Sequence, residues 1–219
     1  MIFLLVSSLP LLISLVIIIV LYKRLRPKWI RAFTWYMLFT QIIAIVGYQY
    51  SARFKESNHF IFNSYLLVEF LFFFCIFYKS FQTKRLKKLT VALAIGFLIF
   101  TILSFLSVFA KDGFYVFNSP VYMVGSLITI IMCLLFFVSL FKSEGIINYF
   151  QIPMFWIATG ILFYFVGNFI YLGFIDYIIA NNLDKDGAIY RFITFTLSLL
   201  LYSLFTIGFL SNQTLKTKT

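Results

Sequence analysis

Residues 60–78 read FIFNSYLLVEFLFFFCIFY, and from Leu66 to Tyr78 a single charged side chain, Glu69, interrupts the apolar run. Apolar and polar positions do not alternate there, so the stretch is not a strand of a membrane barrel, whose residues face lipid and lumen in turn. Lipid offers no partner to a bare backbone, so an apolar run of this length must pair its N–H and C=O groups internally, as a helix. Crossing the hydrocarbon core takes about 20 such residues. The stretch therefore predicts a membrane-spanning helix with one carboxyl near its middle.

The pattern recurs on both sides. Apolar segments fall at roughly 2–22, 30–49, 60–78, 89–110, 118–141, 152–173 and 189–211, each near the length a crossing requires. The run Leu11–Leu21 is as free of alternation as Leu66–Tyr78. Composition agrees, with 63% hydrophobic and 11% charged residues and a mean hydropathy of +1.00. The expected architecture is all-α and polytopic: one membrane domain over residues 1–219, a seven-helix bundle. The first segment has no basic residue before Lys23 and no small-residue cleavage site, so it reads as an uncleaved helix and not as a secretory signal.

Basic residues give the orientation. Lys23, Arg24, Arg26, Lys28 and Arg31 join segments one and two, and Lys79, Lys84, Arg85, Lys87 and Lys88 join segments three and four. Lys142, Lys216 and Lys218 fall on the same side, whereas Arg53, Lys55, Lys111, Lys185 and Arg191 fall on the other. Cytoplasmic loops collect Lys and Arg, so the N-terminus is expected outside and the C-terminus in the cytoplasm. Acids lean the other way: Glu56, Asp112, Asp176, Asp184 and Asp186 are outside and Glu144 inside.

Composition also removes function classes. A net charge of +11 in a soluble protein would suggest nucleic acid. Here the charge sits in juxtamembrane loops, where it meets anionic lipid, so membrane lipid is the expected partner and nucleic acid is not. The one histidine, His59, lies in a loop, and no HExxH, Cys/His cluster or Ser–His–Asp set exists. No metal, cofactor or enzyme chemistry is expected. No lysine lies inside a segment to hold retinal. Cys75 and Cys133 read as apolar residues of the helices, not as a disulfide. The loops leave no room for a soluble output module, so any signal is expected to pass to a separate membrane protein.

Polar residues inside the segments point to helix contacts or a cavity. Helical spacing aligns Ser7, Pro10 and Ser14; Thr34, Gln41 and Tyr48; Tyr65 and Glu69; Ala94, Thr101 and Ser104; Tyr122, Ser126, Thr129 and Cys133; Gly160, Tyr164, Gly167, Asn168 and Tyr171; and Arg191, Thr194, Ser198 and Tyr202. Most of the small and hydroxyl positions suit close helix packing. Glu69 is different. It is the only acid inside a segment, and a lone charge at that depth costs at least ~2.5–3.5 kcal/mol. It is expected either neutral, sharing a hydrogen bond with a tyrosine or Gln41, or ionised and paired with Arg191. Most polar positions lie in the middle and outer halves, which predicts a pocket open to the outside. Its candidate residues are Glu69 and Gln41 as a polar floor, with Tyr65, Asn63, Tyr122, Ser126, Tyr164, Asn168, Arg191 and Thr194 around them.

Two repeated patterns stand out. Segments one, three and five end in Leu21-Tyr22-Lys23-Arg24, Phe77-Tyr78-Lys79-Ser80 and Leu140-Phe141-Lys142-Ser143, an ending that any inner interface favours. Segments three and five both begin with Phe-Asn-Ser, at Phe62–Ser64 and Phe117–Ser119.

The stretch Pro153-Met154-Phe155-Trp156-Ile157 followed by Gly160, Tyr164, Gly167 and Asn168 resembles a helix-six pattern of uncharacterised seven-helix membrane proteins of Bacteroidota-type bacteria, and Asn63–Tyr78 resembles their helix three. The resemblance implies the bacterial cytoplasmic (inner) membrane and, for some such proteins, partnership with two-component signalling systems. Pro10, Pro27, Pro120 and Pro153 also resemble the proline placement of seven-helix sugar transporters of the SWEET type, but the Pro-Gln pair of that broader family is absent. The expectation is thus a non-enzymatic membrane sensor, receptor-like protein or scaffold acting through a partner. A small-solute transporter and a structural subunit of a larger complex are the alternatives.

Overall fold

The structure is a computed structural model that describes residues 2–112, 116–142, 148–181, 183–184 and 187–214, with their side chains except at 2–8, 108–112, 175–176, 179 and 212–214. Ser7, Lys111, Asp112, Glu144, Asp176, Lys185, Asp186, Lys216 and Lys218, which entered the seam and charge readings, lie outside the described side chains.

Among the described residues eight α-helices follow one another: α1 (Ile2–Leu21), α2 (Ala32–Phe54), α3 (His59–Ser80), α4 (Lys84–Asp112), α5 (Ser119–Phe141), α6 (Pro153–Gly173), the short α7 (Ile175–Ala180) and α8 (Ala188–Thr214). Short 3-10 turns at Lys28–Arg31 and Tyr149–Gln151 precede α2 and α6, and no strand occurs among the described residues. Among those residues six helices are long and apolar enough to cross a membrane, ending with Ala188–Ser211, which makes this a multi-pass membrane protein. Helix α1 is 20 residues long, but its described apolar part, Leu9–Leu21, is shorter than a span.

Two boundaries differ from expectation. Helix α2 runs on through Tyr50–Phe54, which read as loop. Once nucleated, a helix extends at little cost, and the Tyr50 ring packs against Phe54 and Phe60 at 5.0 and 5.1 Å. Helix α4 begins at Lys84, so the basic run 84–88 is its first turn and not part of the connection. Lys, Arg and Leu are good helix formers, and the Thr83 hydroxyl accepts from Leu86 N–H at 3.5 Å.

The chain forms two compact units, each described here by itself: residues 35–132, the central unit, and residues 1–34 with 133–219, the terminal unit. In the central unit α3 packs along α4. Phe70, Phe73, Phe74 and Phe77 are buried on α3, and Phe97 of α4 meets Phe70 and Phe74 edge-on at 5.3 and 5.5 Å. On α5, Gly125 makes room for Phe70, whose ring atoms lie 2.5 Å from where a Cβ would sit. The outer face of α4 presents Ile99, Ile102, Leu103 and Leu106, all exposed, as a surface against lipid should be.

In the terminal unit α8 packs against α6 and α1. Two glycines set that closeness. A Cβ on Gly160 would meet the Leu201 carbonyl at 3.2 Å, and one on Gly208 would meet the Pro153 carbonyl at 2.9 Å. Small residues that let helix backbones approach are the usual device of helix association in lipid. Phe33 closes this core, edge-on to Phe205 and Phe209 at 5.2 and 5.9 Å.

Candidate functional site

Glu69 lies halfway along α3, ten residues from its first residue and eleven from its last. At 1.5 Å per residue, that is about 15 Å of helix on either side. The residue is only 7% exposed, so the carboxyl faces protein and not lipid. Its partners are tyrosines. Tyr36 Oη of α2 donates to Glu69 Oε1 at 3.0 Å, and Tyr65 Oη, one helical turn earlier on α3, lies 3.4 Å from the same oxygen. The two phenol oxygens are 3.4 Å apart.

Thr40 extends the chain of hydroxyls. Its Oγ1 lies 2.8 Å from Tyr65 Oη, where either group can be the donor, and it can donate to the Tyr36 carbonyl at 2.9 Å. A threonine has one hydroxyl proton, so it serves one of these acceptors at a time. When it goes to the carbonyl, Tyr65 donates to Thr40. When it goes to Tyr65, the Tyr65 proton is directed to Glu69 or to Tyr36, whose oxygens both lie at 3.4 Å. Stacking holds the Tyr36 ring in place: it lies parallel to Phe72 at 4.4 Å, with an interplanar angle of 4°, and edge-on to Phe73 at 5.3 Å.

Of the candidates in the central unit, Tyr65 is therefore joined to Glu69. Gln41 is half-buried, and no hydrogen bond links it to the carboxyl; the tyrosines take that place. Asn63 does a different job. Its Nδ2 donates to the Val116 carbonyl at 2.8 Å, and its Oδ1 accepts from Asn118 N–H at 2.9 Å. Asn118 Oδ1 in turn accepts from Ser104 Oγ at 3.0 Å and from Val121 N–H at 3.2 Å, capping α5. The two Phe-Asn-Ser repeats are thus clasped to each other through their asparagines. Tyr122 packs edge-on to Phe70 at 5.9 Å. Ser126 is fully buried, and its hydroxyl has no partner among the described residues.

The other four candidates belong to the terminal unit. Asn168 Nδ2 donates to the Tyr164 carbonyl of its own helix at 2.9 Å. Tyr164 is half-buried and Arg191 exposed, and Thr194 Oγ1 is buried without a partner among the described residues. At the start of α8, Asp184 accepts from the Ile189 and Tyr190 N–H groups, both at 2.9 Å. Desolvation alone would raise its carboxyl, but the backbone donors of Tyr190, Ile189 and Ala188 outweigh it and hold the group below the usual carboxylate range. Gly187, with φ of +62°, makes the turn that brings Asp184 back over this helix end.

A groove of about 460 Å³ runs along α1 and α8, lined by Pro10, Ile13, Phe195, Leu199 and Tyr202 among others. None of the ten candidate residues lines it. What sequence reasoning missed is Tyr36 and Thr40. Their four-residue spacing on α2 mirrors that of Tyr65 and Glu69 on α3, and that shared spacing was the available signal. Comparison of the chain with family models, with curated proteins and with solved structures returned no match.

Proposed function

We propose that this is a non-enzymatic, seven-crossing protein of the bacterial cytoplasmic membrane, with its N-terminus outside, that senses or scaffolds through a separate membrane-protein partner. The observation that supports this reading best is the Glu69 cluster. A carboxyl held in mid-helix by two tyrosine hydroxyls, one of them bonded in turn to a threonine, is an expensive feature to keep in a membrane. It is not needed to close a core already filled by phenylalanines. The length of α1, 20 residues, is that of a seventh crossing, and the excess of Lys and Arg at the connections α1–α2 and α3–α4 favours a cytoplasmic location for both.

The cluster joins α2 to α3 through the Tyr36–Glu69 hydrogen bond. In this reading its role is conformational: two hydrogen-bond directions give α2 and α3 two ways of being joined, and a partner or ligand selects one. The test is affinity purification of the full chain in mild detergent, as wild type and as Glu69→Gln. The expected result is a stoichiometric membrane-protein partner with the wild type and a weakened or lost partner with the variant, at equal expression. A wild type that purifies alone, or a variant that keeps the same partner in the same amount, overturns the proposal.

A further inference from the structure

The link between α3 and α4 carries a charge arrangement that neither helix needs. Lys79, Lys84, Arg85, Lys87 and Lys88 fall within ten residues, and from Glu69 to Asp112 the chain has no acid to balance them. Lys79, in the last turn of α3, suits the negative end of that helix. The other four lie in the first turns of α4, which holds no acid in its first turn. Cations at a helix N-terminus oppose its dipole, so this end of α4 is a repulsive assembly as it stands.

Two of the cations share one aromatic ring. Lys79 Nζ lies 6.0 Å and Lys87 Nζ 5.7 Å from the centroid of Tyr78, within the range of a cation–π contact. The Tyr78 and Lys79 side chains are exposed. The connection itself is only residues 81–83 and is anchored from below: Phe81 is 1% exposed, its N–H donates to the Phe77 carbonyl at 2.9 Å, and Ser80 Oγ donates to the same carbonyl at 2.9 Å. Both helices are long and apolar enough to cross a membrane, so a three-residue connection keeps the basic cluster at the bilayer surface.

We infer that Lys79, Tyr78 and Lys87 form a seat for the headgroup of an anionic phospholipid, with Lys84, Arg85 and Lys88 supplying the surrounding field. The phosphate would neutralise the helix start and the paired ammonium groups, while the Tyr78 ring lies against the glycerol region, where tyrosine is at home. Lipid is favoured over an acidic protein segment because the cluster sits at the end of two spans, where bilayer phosphates are already present at high local concentration.

The experiment is native mass spectrometry of the full chain in neutral detergent, titrated with phosphatidylglycerol or with phosphatidylcholine. The variants are Lys79→Gln/Lys87→Gln and, with the same loss of charge, Lys84→Gln/Lys88→Gln. Wild type is expected to retain phosphatidylglycerol preferentially. Each lysine of the seat contributes about fivefold, so the first pair should weaken retention about twenty-five-fold. The second pair should weaken it clearly less, and Tyr78→Phe should keep it. Equal retention of the two lipids, or equal losses from the two pairs, overturns the seat and leaves only a diffuse basic surface. Unchanged lipid retention in Lys79→Gln/Lys87→Gln together with loss of a co-purifying acidic protein overturns it in favour of a protein partner. Because Glu69 is intact in every variant, failure here is distinguishable from failure of the partner experiment above.

Discussion

The two units hold their helices together by different means. In the terminal unit α6 and α8 approach through glycines: a Cβ on Gly208 would collide with the Pro153 carbonyl at 2.9 Å, and one on Gly160 would crowd the Leu201 carbonyl at 3.2 Å. In the central unit polar groups make specific links. Tyr36 of α2 reaches Glu69 of α3, Asn63 reaches the segment before α5, and Ser104 of α4 reaches Asn118. Lipid provides no hydrophobic drive for helices to associate, so both devices answer the same need, one by dispersion at close range and the other by hydrogen bonds. They differ in what they permit. Close backbone contact has one geometry, whereas hydroxyl and carboxyl groups can exchange donor and acceptor roles. On the proposed reading, switching therefore belongs to the central unit, whose links can exchange donor and acceptor roles.

The strongest way to break this contrast is to crowd the glycine contact. Gly208→Val should destabilise the protein by about 1–3 kcal/mol, because a backbone carbonyl cannot move aside as a side chain can. The readout is the midpoint of unfolding in a titration of sodium dodecyl sulfate into mild detergent. Gly96→Val is the control, as nothing lies within 4 Å of a Cβ there, and its midpoint should stay near wild type. Equal shifts in the two variants would mean that the close approach contributes nothing.

A smaller effect sharpens the other side. A double-mutant cycle with Tyr36→Phe and Glu69→Leu, which removes the acceptor, read by the same titration, should give a coupling of about 0.6–1.7 kcal/mol, the range found for hydrogen bonds between membrane helices. A coupling of zero would reduce the contact to packing and remove the reason for assigning a switch to this unit.

The smallest expected effect is pH-dependent and local to the terminal unit. Asp184 is held below the usual carboxylate range by the amides it caps. Its stabilising contribution is thus complete above the ordinary carboxylate value and is lost as pH falls through the lowered folded value. Hydrogen exchange at the Ile189 and Tyr190 amides should accelerate, relative to other helix starts, only below that ordinary value. Asp184→Asn should show the faster exchange already at neutral pH. Exchange in the wild type that is slowed equally on both sides of the transition would rule out the cap.

Much of this was legible in the chain. Uninterrupted apolar runs located six spans to within a few residues, because a helix in lipid leaves that composition wherever it goes. Sequence and structure part at helix ends, at Tyr50–Phe54 and Lys84–Lys88, where the helices run past the apolar stretch into polar residues. Glu69 stood out by itself as the only acid in a span. Asn63 was visible too, but as a pocket residue, whereas it clasps the second Phe-Asn-Ser repeat. The converging outward pocket was an inference from depth alone. Asn168 returns to its own helix, and the described groove along α1 and α8 uses none of those positions.

Sequence by itself determined the solvent of each segment, its helical state and the positions where a polar atom would have to find a partner, since those depend on composition along one axis. Which partner was found depended on how helices rotate and approach. Tyr36 and not Gln41 meets Glu69, and Asn118 meets Asn63, because side chains at equal depth are distinguished only by the face each helix turns to its neighbour, and that is decided by packing across the bundle.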